Sequence, residues 1–236
     1  FSGWALCVAH CAFSQNDKVQ SPSSSPNNLC VIGGKLLFAA DDGIHGVELW
    51  ASDGEPGHAH LVKDIWPGSV ASDPADFYVL GDRVLFAAKT AEDAGGVKSC
   101  GAELWLSDGT PEGTAFVKDV HGGAQSKPFR WMCQRDGVAY FEGNDGNLGG
   151  ELWRTDGTPD GTFLVQDLWA GPAASQPGGG AAKWLPDGRF LFTGHKDATY
   201  NLFISDGTDL GTKVIMDIED GGRLELALNG NVLLSS

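Results

Sequence analysis

The residues of this chain with the most evident chemical potential are glutamates that return at one repeated position. Glu48, Glu103 and Glu151 each precede a leucine and a tryptophan. Glycoside hydrolysis needs two carboxylates that face one bond, roughly 5 to 9.5 Å apart. A carboxylate present in copy after copy more often serves the repeat itself, and Lys63 and Lys118 near the following strands offer charge partners. A glycosidase is therefore the least favoured interpretation.

Oxygen-bearing side chains also gather in two glycine-containing loops. Asp41 and Asp42 precede a glycine in one loop, and Asn144 and Asp145 precede a glycine in another. Calcium takes about six to eight oxygen ligands, and loops of this composition can supply them. The same residue types also stabilise tight turns by hydrogen bonding to the backbone. These loops are less acidic than a dedicated calcium loop, so turn structure is favoured and calcium is the alternative.

Two tryptophans, Trp66 and Trp169, occupy matching positions after the last strand of their repeats. If the loops between second and third strands share a face with the connections between repeats, these tryptophans and Asp42 and Asp145 line one ligand surface. Indole rings stack on the apolar faces of sugars, and carboxylates accept hydrogen bonds from sugar hydroxyl groups. This pattern favours a glycan ligand. Packing between repeats is the structural explanation of the same tryptophans.

Other chemical motifs are sparse. His58 and His60 form a His-x-His pair in a turn, the arrangement nearest to a transition-metal site. Neither the Gly-x-Ser-x-Gly motif of serine hydrolases nor the His-Glu-x-x-His motif of zinc peptidases occurs. The sequence therefore predicts a protein that is not an enzyme and that needs no cofactor apart from the calcium alternative.

One sequence motif recurs four times, and the strands that contain it must position these residues. It reads Glu48–Gly54, Glu103–Thr110, Glu151–Thr158 and, in weaker form, Asn201–Thr208. Copies follow one another at intervals of about 50 residues, and each is followed by a further apolar run that ends in aspartate. The first repeat predicts four strands, at Leu29–Ile32, Lys35–Ala40, Glu48–Ser52 and Leu61–Ile65. Glycine-rich steps between these runs are typical of hairpin turns.

Four antiparallel strands in each repeat of this length indicate a blade of a β-propeller. The sequence predicts an all-β fold in one domain, residues 1–236, with complete blades at about 29–66, 77–121, 130–169 and 183–218. Two further strands at 224–235 would join a segment at about 4–17 in a fifth blade shared between the two ends of the chain. Such closure removes exposed sheet edges. A fragment of a longer propeller is the alternative.

The chain carries 16 basic and 31 acidic residues, a net charge of −15. So acidic a surface disfavours nucleic acid as a partner. No apolar run approaches the roughly 18 residues that a membrane span needs. Cysteines gather near the start of the sequence and form no Cys-x-x-Cys pair, which favours disulfides and an extracellular setting over zinc. The disulfide candidates are Cys7, Cys11, Cys30, Cys100 and Cys133, and the odd number leaves one for an interchain bond.

The recurring motif resembles the motif of the ELWxxDGT-repeat proteins. Glu103–Thr110 and Glu151–Thr158 match that motif at every defined position, Glu55 replaces the final threonine in the first copy, and Asn201 and Phe203 depart in the fourth. The resemblance extends from about residue 29 to the end of the chain. It implies a secreted or cell-surface repeat protein with a propeller-like fold, and it carries no catalytic residues.

Together these features predict a non-enzymatic extracellular module that contacts proteins or glycans in a surface or secreted assembly. A lectin-like propeller that acts alone is the alternative, and self-assembly is a further expectation.

Overall fold

The computed structural model describes residues 24–90, 101–120, 129–178, 182–218, 223–226 and 232–235. Within these ranges the chain forms eighteen β-strands and no helix. The described parts therefore contain no helix that is long and apolar enough to cross a membrane. Cys7, Cys11, Cys100 and the strands predicted at about 4–17 lie outside the described residues.

Sixteen of the strands form four sheets of four. The first sheet contains β1 (Asn27–Ile32), β2 (Lys35–Asp41), β3 (Val47–Ser52) and β4 (His60–Lys63). The second sheet contains β5 (Ala75–Leu80), β6 (Arg83–Lys89), β7 (Ala102–Ser107) and β8 (Ala115–Lys118). The third sheet contains β9 (Arg130–Arg135), β10 (Val138–Gly143), β11 (Glu151–Thr155) and β12 (Phe163–Gln166). The fourth sheet contains β13 (Lys183–Trp184), β14 (Phe190–Lys196), β15 (Thr199–Ser205) and β16 (Lys213–Asp217).

Every sheet is an antiparallel meander in which strands adjacent in sequence are adjacent in space. This is the order of strands in a propeller blade. The predicted all-β, propeller-like architecture of four-stranded antiparallel units is thus confirmed. After the fourth sheet, β17 (Arg223–Leu226) pairs with β18 (Val232–Ser235) in a two-stranded antiparallel hairpin.

The strands divide between two compact units. The first unit contains the first and second sheets, and the second unit contains the third and fourth sheets with the hairpin. In the first unit Leu37 and Leu49 share one apolar cluster with Phe86 and Trp105 of the neighbouring sheet. The two sheets of this unit are therefore packed through their side chains.

The second unit has an equivalent core. Tyr140 and Leu152 of the third sheet share a cluster with Phe190 and Phe203 of the fourth. The Tyr140 and Phe190 ring centroids are 4.6 Å apart. Burial of each such side chain contributes roughly 1.5 to 3 kcal/mol to folding, so these interfaces account for much of the stability of the unit.

Both faces of the third strand in a sheet are apolar, because both are covered. Leu152 and Trp153 are successive residues of β11, point to opposite faces, and are both buried. Leu49 and Trp50 on β3 are buried in the same way. Both faces of the third strand are therefore part of the core.

Turn conformations agree with the sequence in part. Gly33 and Gly34 both have positive φ, as do Asp136 and Gly137, and such pairs form the tight hairpin turn expected there. In the turns at residues 81–82 and 187–188 only the glycine has positive φ. Hairpin turns of type I′ need positive φ at both central residues, so these two turns are of another type.

Candidate ligand-binding site

The repeated glutamate is a buried hydrogen-bond acceptor. Glu48 lies on β3 with its side chain fully buried. Its carboxylate accepts hydrogen bonds from the backbone amide of Ile65 at 2.8 Å and from the amide and hydroxyl of Ser72 at 3.0 and 2.5 Å. Both residues follow β4, in the connection to the second sheet. Glu48 therefore ties the third strand of its sheet to that connection.

Glu151 makes the same contacts in the second unit. Its carboxylate accepts the amides of Leu168 at 2.8 Å and of Ser175 at 3.1 Å. The carbonyl of Ser175 in turn accepts the amide of His195 at 2.6 Å, on the fourth sheet. We call this arrangement the glutamate clasp: Glu48 with Ile65 and Ser72, and Glu151 with Leu168 and Ser175. It links successive sheets within each unit.

The clasp changes the pKa of both carboxyl groups, and its bonds differ from the lysine pairing that the sequence predicted. Burial raises the pKa of Glu48 and of Glu151 to about 7 each, against the opposing effect of their hydrogen bonds. The predicted lysine partner is wrong for Glu48, whose hydrogen bonds go to Ile65, to Ser72 and to the backbone of Trp66. Lys63 pairs in register with Leu49, so its side chain is on the opposite face of the sheet from Glu48.

The repeated Asp-Gly-Thr residues form a closed turn between the third and fourth strands. Asp108 accepts hydrogen bonds from the amide and hydroxyl of Thr110 at 2.8 and 2.6 Å. The Thr110 hydroxyl accepts the amide of Gly113 at 3.0 Å. A methyl group at Gly113 would overlap the Asp108 carboxylate, which explains the second glycine of the motif. The same contacts recur at Asp156 and Asp206.

Side chains of the two candidate calcium loops are bonded to their own backbone. Asp41 accepts the amide of Gly43 at 2.7 Å, and Asp42 accepts the amides of Ile44 and His45 at 2.9 Å each. Asn144 and Asp145 repeat these bonds in the second unit. No group of three or more histidine, cysteine or acidic side chains in the described ranges forms a metal-ligand cluster. These contacts account for the two loops as turns, and calcium there stays a prediction.

The tryptophans predicted to bind ligand are half-buried. Trp66 and Asp42 belong to the first unit, and Trp169 and Asp145 to the second. In the second unit the Trp169 ring centroid lies 6.3 Å from that of His195. The His195 centroid lies 5.0 Å from that of Tyr200. A shared surface for all four predicted residues stays a prediction, but Trp169 has an aromatic neighbourhood.

A cavity of about 600 Å³ lies between the third and fourth sheets of the second unit. Phe203 and Val214 form part of its apolar wall. Its polar lining combines amide, hydroxyl, ammonium and carboxylate groups. These belong to Gln166, Asp167, Lys196, Asp197, Thr212 and Lys213. Such a mixture of donors and acceptors suits a ligand with many hydroxyl groups.

Asp167 is the most informative residue of this lining. One carboxylate oxygen accepts the amide of Gly171 at 3.3 Å, and the other is buried without a hydrogen-bond partner. Asp64 in the first unit is arranged in the same way: one oxygen accepts the amide of Gly68 at 3.3 Å, and the other is buried without a hydrogen-bond partner. Asp119 in the second sheet also has a buried oxygen without a hydrogen-bond partner, so this state belongs to the repeat. Of the three aspartates only Asp167 lines the 600 Å³ cavity.

Lysines supply the donors of the cavity. Among the described residues neither Lys196 nor Lys213 forms an ion pair within 4.0 Å. Lys196 precedes the turn Asp197-Ala198, in which both residues have positive φ, at 51° and 64°. Ala198 is held there without the glycine that this backbone region favours. Local strain thus accompanies the presentation of Lys196 and Asp197 at the cavity.

The two described cysteines are free thiols, Cys30 half-buried and Cys133 buried. Burial raises the pKa of the Cys133 thiol to about 12. A thiol that stays protonated reacts poorly with disulfides. Cys133 is thus a poor partner for the predicted disulfide bonds.

Several of these residues were not evident from the sequence. Ser72, Ser175, Lys196 and Asp197 belong to no recognised motif. The serines had a detectable signal, because the stretches 66–74 and 169–177 share tryptophan, glycine, alanine, serine and proline at matching positions. The lysine and aspartate had none.

Neither a protein-family model nor a curated protein sequence matches this chain. Among solved structures, the S511A mutant of puromycin hydrolase complexed with PGG is 14% identical over 87% of this chain and 32% of its own, with a TM-score of 0.49. TolB from Acinetobacter baumannii is 11% identical over 89% and 47%, with a TM-score of 0.46. A putative TolB from Agrobacterium tumefaciens is 11% identical over 86% and 68%, with a TM-score of 0.41. The chain thus spans a third to a half of the first two structures, and likeness at this level says nothing of activity.

Proposed function

We propose that this protein is a non-enzymatic extracellular binding module that takes a carbohydrate in the cavity between its third and fourth sheets. The observation that carries the proposal is the cavity lining. Asp167 and Asp197 offer carboxylates, and Lys196 and Lys213 offer ammonium groups that have no ion-pair partner in the described chain. Sugar hydroxyls both donate and accept, so one ligand satisfies both kinds of group.

One aromatic ring, that of Phe203, forms part of the cavity wall. An aromatic side chain beside converging polar groups is typical of carbohydrate sites.

The engagement of the repeated acids argues for binding rather than catalysis. Glu48 and Glu151 are held by the glutamate clasp, and Asp108, Asp156 and Asp206 are held in their turns. A catalytic acid or base must reach the bond that it cleaves. These carboxylates are occupied by backbone and threonine donors instead. The extracellular setting rests on the resemblance to ELWxxDGT-repeat proteins.

We also propose that the chain closes as a five-bladed propeller. The hairpin β17–β18 supplies two strands after the fourth sheet, and a segment at about 4–17 would supply the other two. Closure would satisfy the open edges of the terminal strands. Förster transfer between dyes attached at the two ends of the chain tests this idea. High transfer is expected, and transfer typical of separated ends would contradict it.

A glycan array tests the carbohydrate proposal, with and without added calcium. We expect binding to a defined set of oligosaccharides. Calorimetry with the best of these should then give a dissociation constant at least about tenfold weaker for Asp167→Asn and for Lys196→Ala, equivalent to about 1.4 kcal/mol. Asp64→Asn is the matched control, because Asp64 has the same local bonding without the cavity. An array without any bound glycan, or equal affinities for Asp167→Asn and wild type, would refute the proposal.

A further inference from the structure

The turn between β3 and β4 of the first sheet differs from its three counterparts. Where the second sheet has Gly113-Thr114-Ala115, the first has His58-Ala59-His60. Two histidines therefore stand at positions that hold no histidine in any other copy. They also lie away from the proposed carbohydrate cavity, which belongs to the other unit.

Hydrogen bonds fix the orientation of both imidazole rings. Nδ1 of His58 lies 2.8 Å from a carboxylate oxygen of Asp53, and Nδ1 of His60 lies 3.1 Å from the carbonyl oxygen of His58. A carbonyl or an ionised carboxylate only accepts hydrogen bonds, so Nδ1 carries the proton in each ring. In the neutral form each Nε2 then has a free lone pair. Metal-binding histidines are commonly prepared by this kind of outer hydrogen bond.

Both rings border one concave space. A cavity of about 380 Å³ is lined by His58 and His60 together with Lys35, Ser52 and Asp53. Neither Nε2 atom has a hydrogen-bond partner among the described residues. The charges of Lys35 and Asp53 balance, so the lining with neutral histidines has no net charge to repel a cation.

We propose that His58 and His60 together bind a divalent transition-metal ion through their Nε2 atoms. Imidazole suits copper, nickel and zinc, and copper(II) is expected to bind most tightly by the usual order of stability. The part of the chain that the structure describes offers no cluster of three or more candidate ligands. The ion would thus retain water at its remaining positions, as in an open site rather than a closed structural one.

Titration calorimetry with copper(II) chloride and with zinc chloride on the full chain tests this site. The informative variants are His58→Gly and His60→Ala, because glycine and alanine occupy these positions in the second sheet and the turn is known to form with them. His45→Ala is the matched control. The Nδ1 atom of His45 also bonds to a carboxylate, that of Asp42 at 2.7 Å, but His45 does not line the 380 Å³ cavity.

Wild type should bind one more copper(II) ion than either His58→Gly or His60→Ala, and His45→Ala should keep that ion. The copper(II) resonance spectrum of wild type should show nitrogen coupling that both variants reduce. Equal stoichiometry and affinity in wild type and His58→Gly/His60→Ala would overturn the proposal, as would an absence of binding to wild type. Loss of the ion in His45→Ala as well would also overturn it, because the pair would then not be the specific ligand.

Discussion

The turn between the third and fourth strands of a sheet has different hydrogen bonds in the third sheet and in the first. In the third sheet Asp156, Thr158 and Thr162 form a closed network: the Thr162 hydroxyl donates to the Thr158 carbonyl at 2.6 Å and lies 2.7 Å from the Thr155 hydroxyl. In the first sheet Asp53 is kept, but Glu55 and His58 replace the threonine and the glycine, and the aspartate bonds to His58 instead. The residues of this turn that the copies share are used by the fold, whereas His58, which replaces the glycine, borders the 380 Å³ cavity.

The glutamate clasp gives a second version of this comparison. Glu151 binds the amides of Leu168 and Ser175, whereas Asn201 at the matching position of the fourth sheet donates to Asp217 at 2.9 Å. Asp217 is exposed, and Asp167, its counterpart, keeps a buried oxygen without a partner. The aspartate at the end of the fourth strand thus accepts a hydrogen bond from the asparagine in the fourth sheet, but in the third sheet the glutamate bonds to other partners.

The largest effect is expected from removal of a clasp carboxylate. Glu151→Ala should lower the free energy of unfolding by about 2 to 4 kcal/mol, because the Leu168 amide loses its acceptor and a buried side chain is truncated. Urea denaturation followed by tryptophan fluorescence measures it. Asn201→Ala is the comparison, and should cost about 1 kcal/mol or less, since its partner is exposed to water. Equal losses of unfolding free energy in Glu151→Ala and Asn201→Ala would contradict the difference between the glutamate and the asparagine.

Stability should also fall as pH rises. An unfolded glutamate releases its proton near pH 4.5, whereas Glu48 and Glu151 keep theirs to about pH 7. Their contribution is therefore full below about pH 4.5 and is lost as pH rises through about 7. At about 1.4 kcal/mol per pKa unit, each carboxyl accounts for up to about 3 kcal/mol. Melting temperatures from pH 5 to pH 8 should decline less in Glu48→Gln/Glu151→Gln than in wild type. A parallel decline in both proteins would contradict this assignment.

A smaller effect is expected at the second glycine of the turn. Gly161→Ala places a methyl group against the Asp156 carboxylate and should cost about 1 to 3 kcal/mol. Its backbone φ is not in the left-handed region, so the cost should come from the overlap alone. The double variant Gly161→Ala/Asp156→Ala removes the overlap. In that background the added methyl should have no cost, and a persistent cost would point to the backbone instead.

The smallest effect belongs to the first sheet. His58→Gly should leave the melting temperature close to that of wild type, because the His58–Asp53 pair is exposed and such pairs contribute little. The reciprocal change, Gly161→His, should lower the melting temperature clearly, since the third sheet has no room beside Asp156. Similar shifts in the two variants would show that the two turns do not differ as described.

Local features of the fold were predictable from the sequence. The second strand was predicted at Lys35–Ala40 and extends over Lys35–Asp41. Alternating apolar residues and turn residues act over a few positions, so one repeat contains enough information for its strands.

The partners of the buried acids were not predictable in the same way. Ser72 lies 24 residues beyond Glu48, and no local pattern states which donor a buried carboxylate will meet. Lys63 was the partner predicted from the sequence, but the strand register places it on the other face. Lys196 and Asp197 reach their cavity only because two sheets pack together. Contacts of this kind depend on tertiary structure and not on spacing.

The measurement that most directly tests the role of the shared residues is amide hydrogen exchange at residue resolution, on wild type and Glu151→Ala. We predict that the Leu168 amide is protected in wild type and exchanges much faster in the variant. The Ile65 amide, held by Glu48 in the other unit, should keep its protection. Unchanged exchange at Leu168 in Glu151→Ala would contradict the clasp, and with it the account in which the repeated glutamate holds the fold.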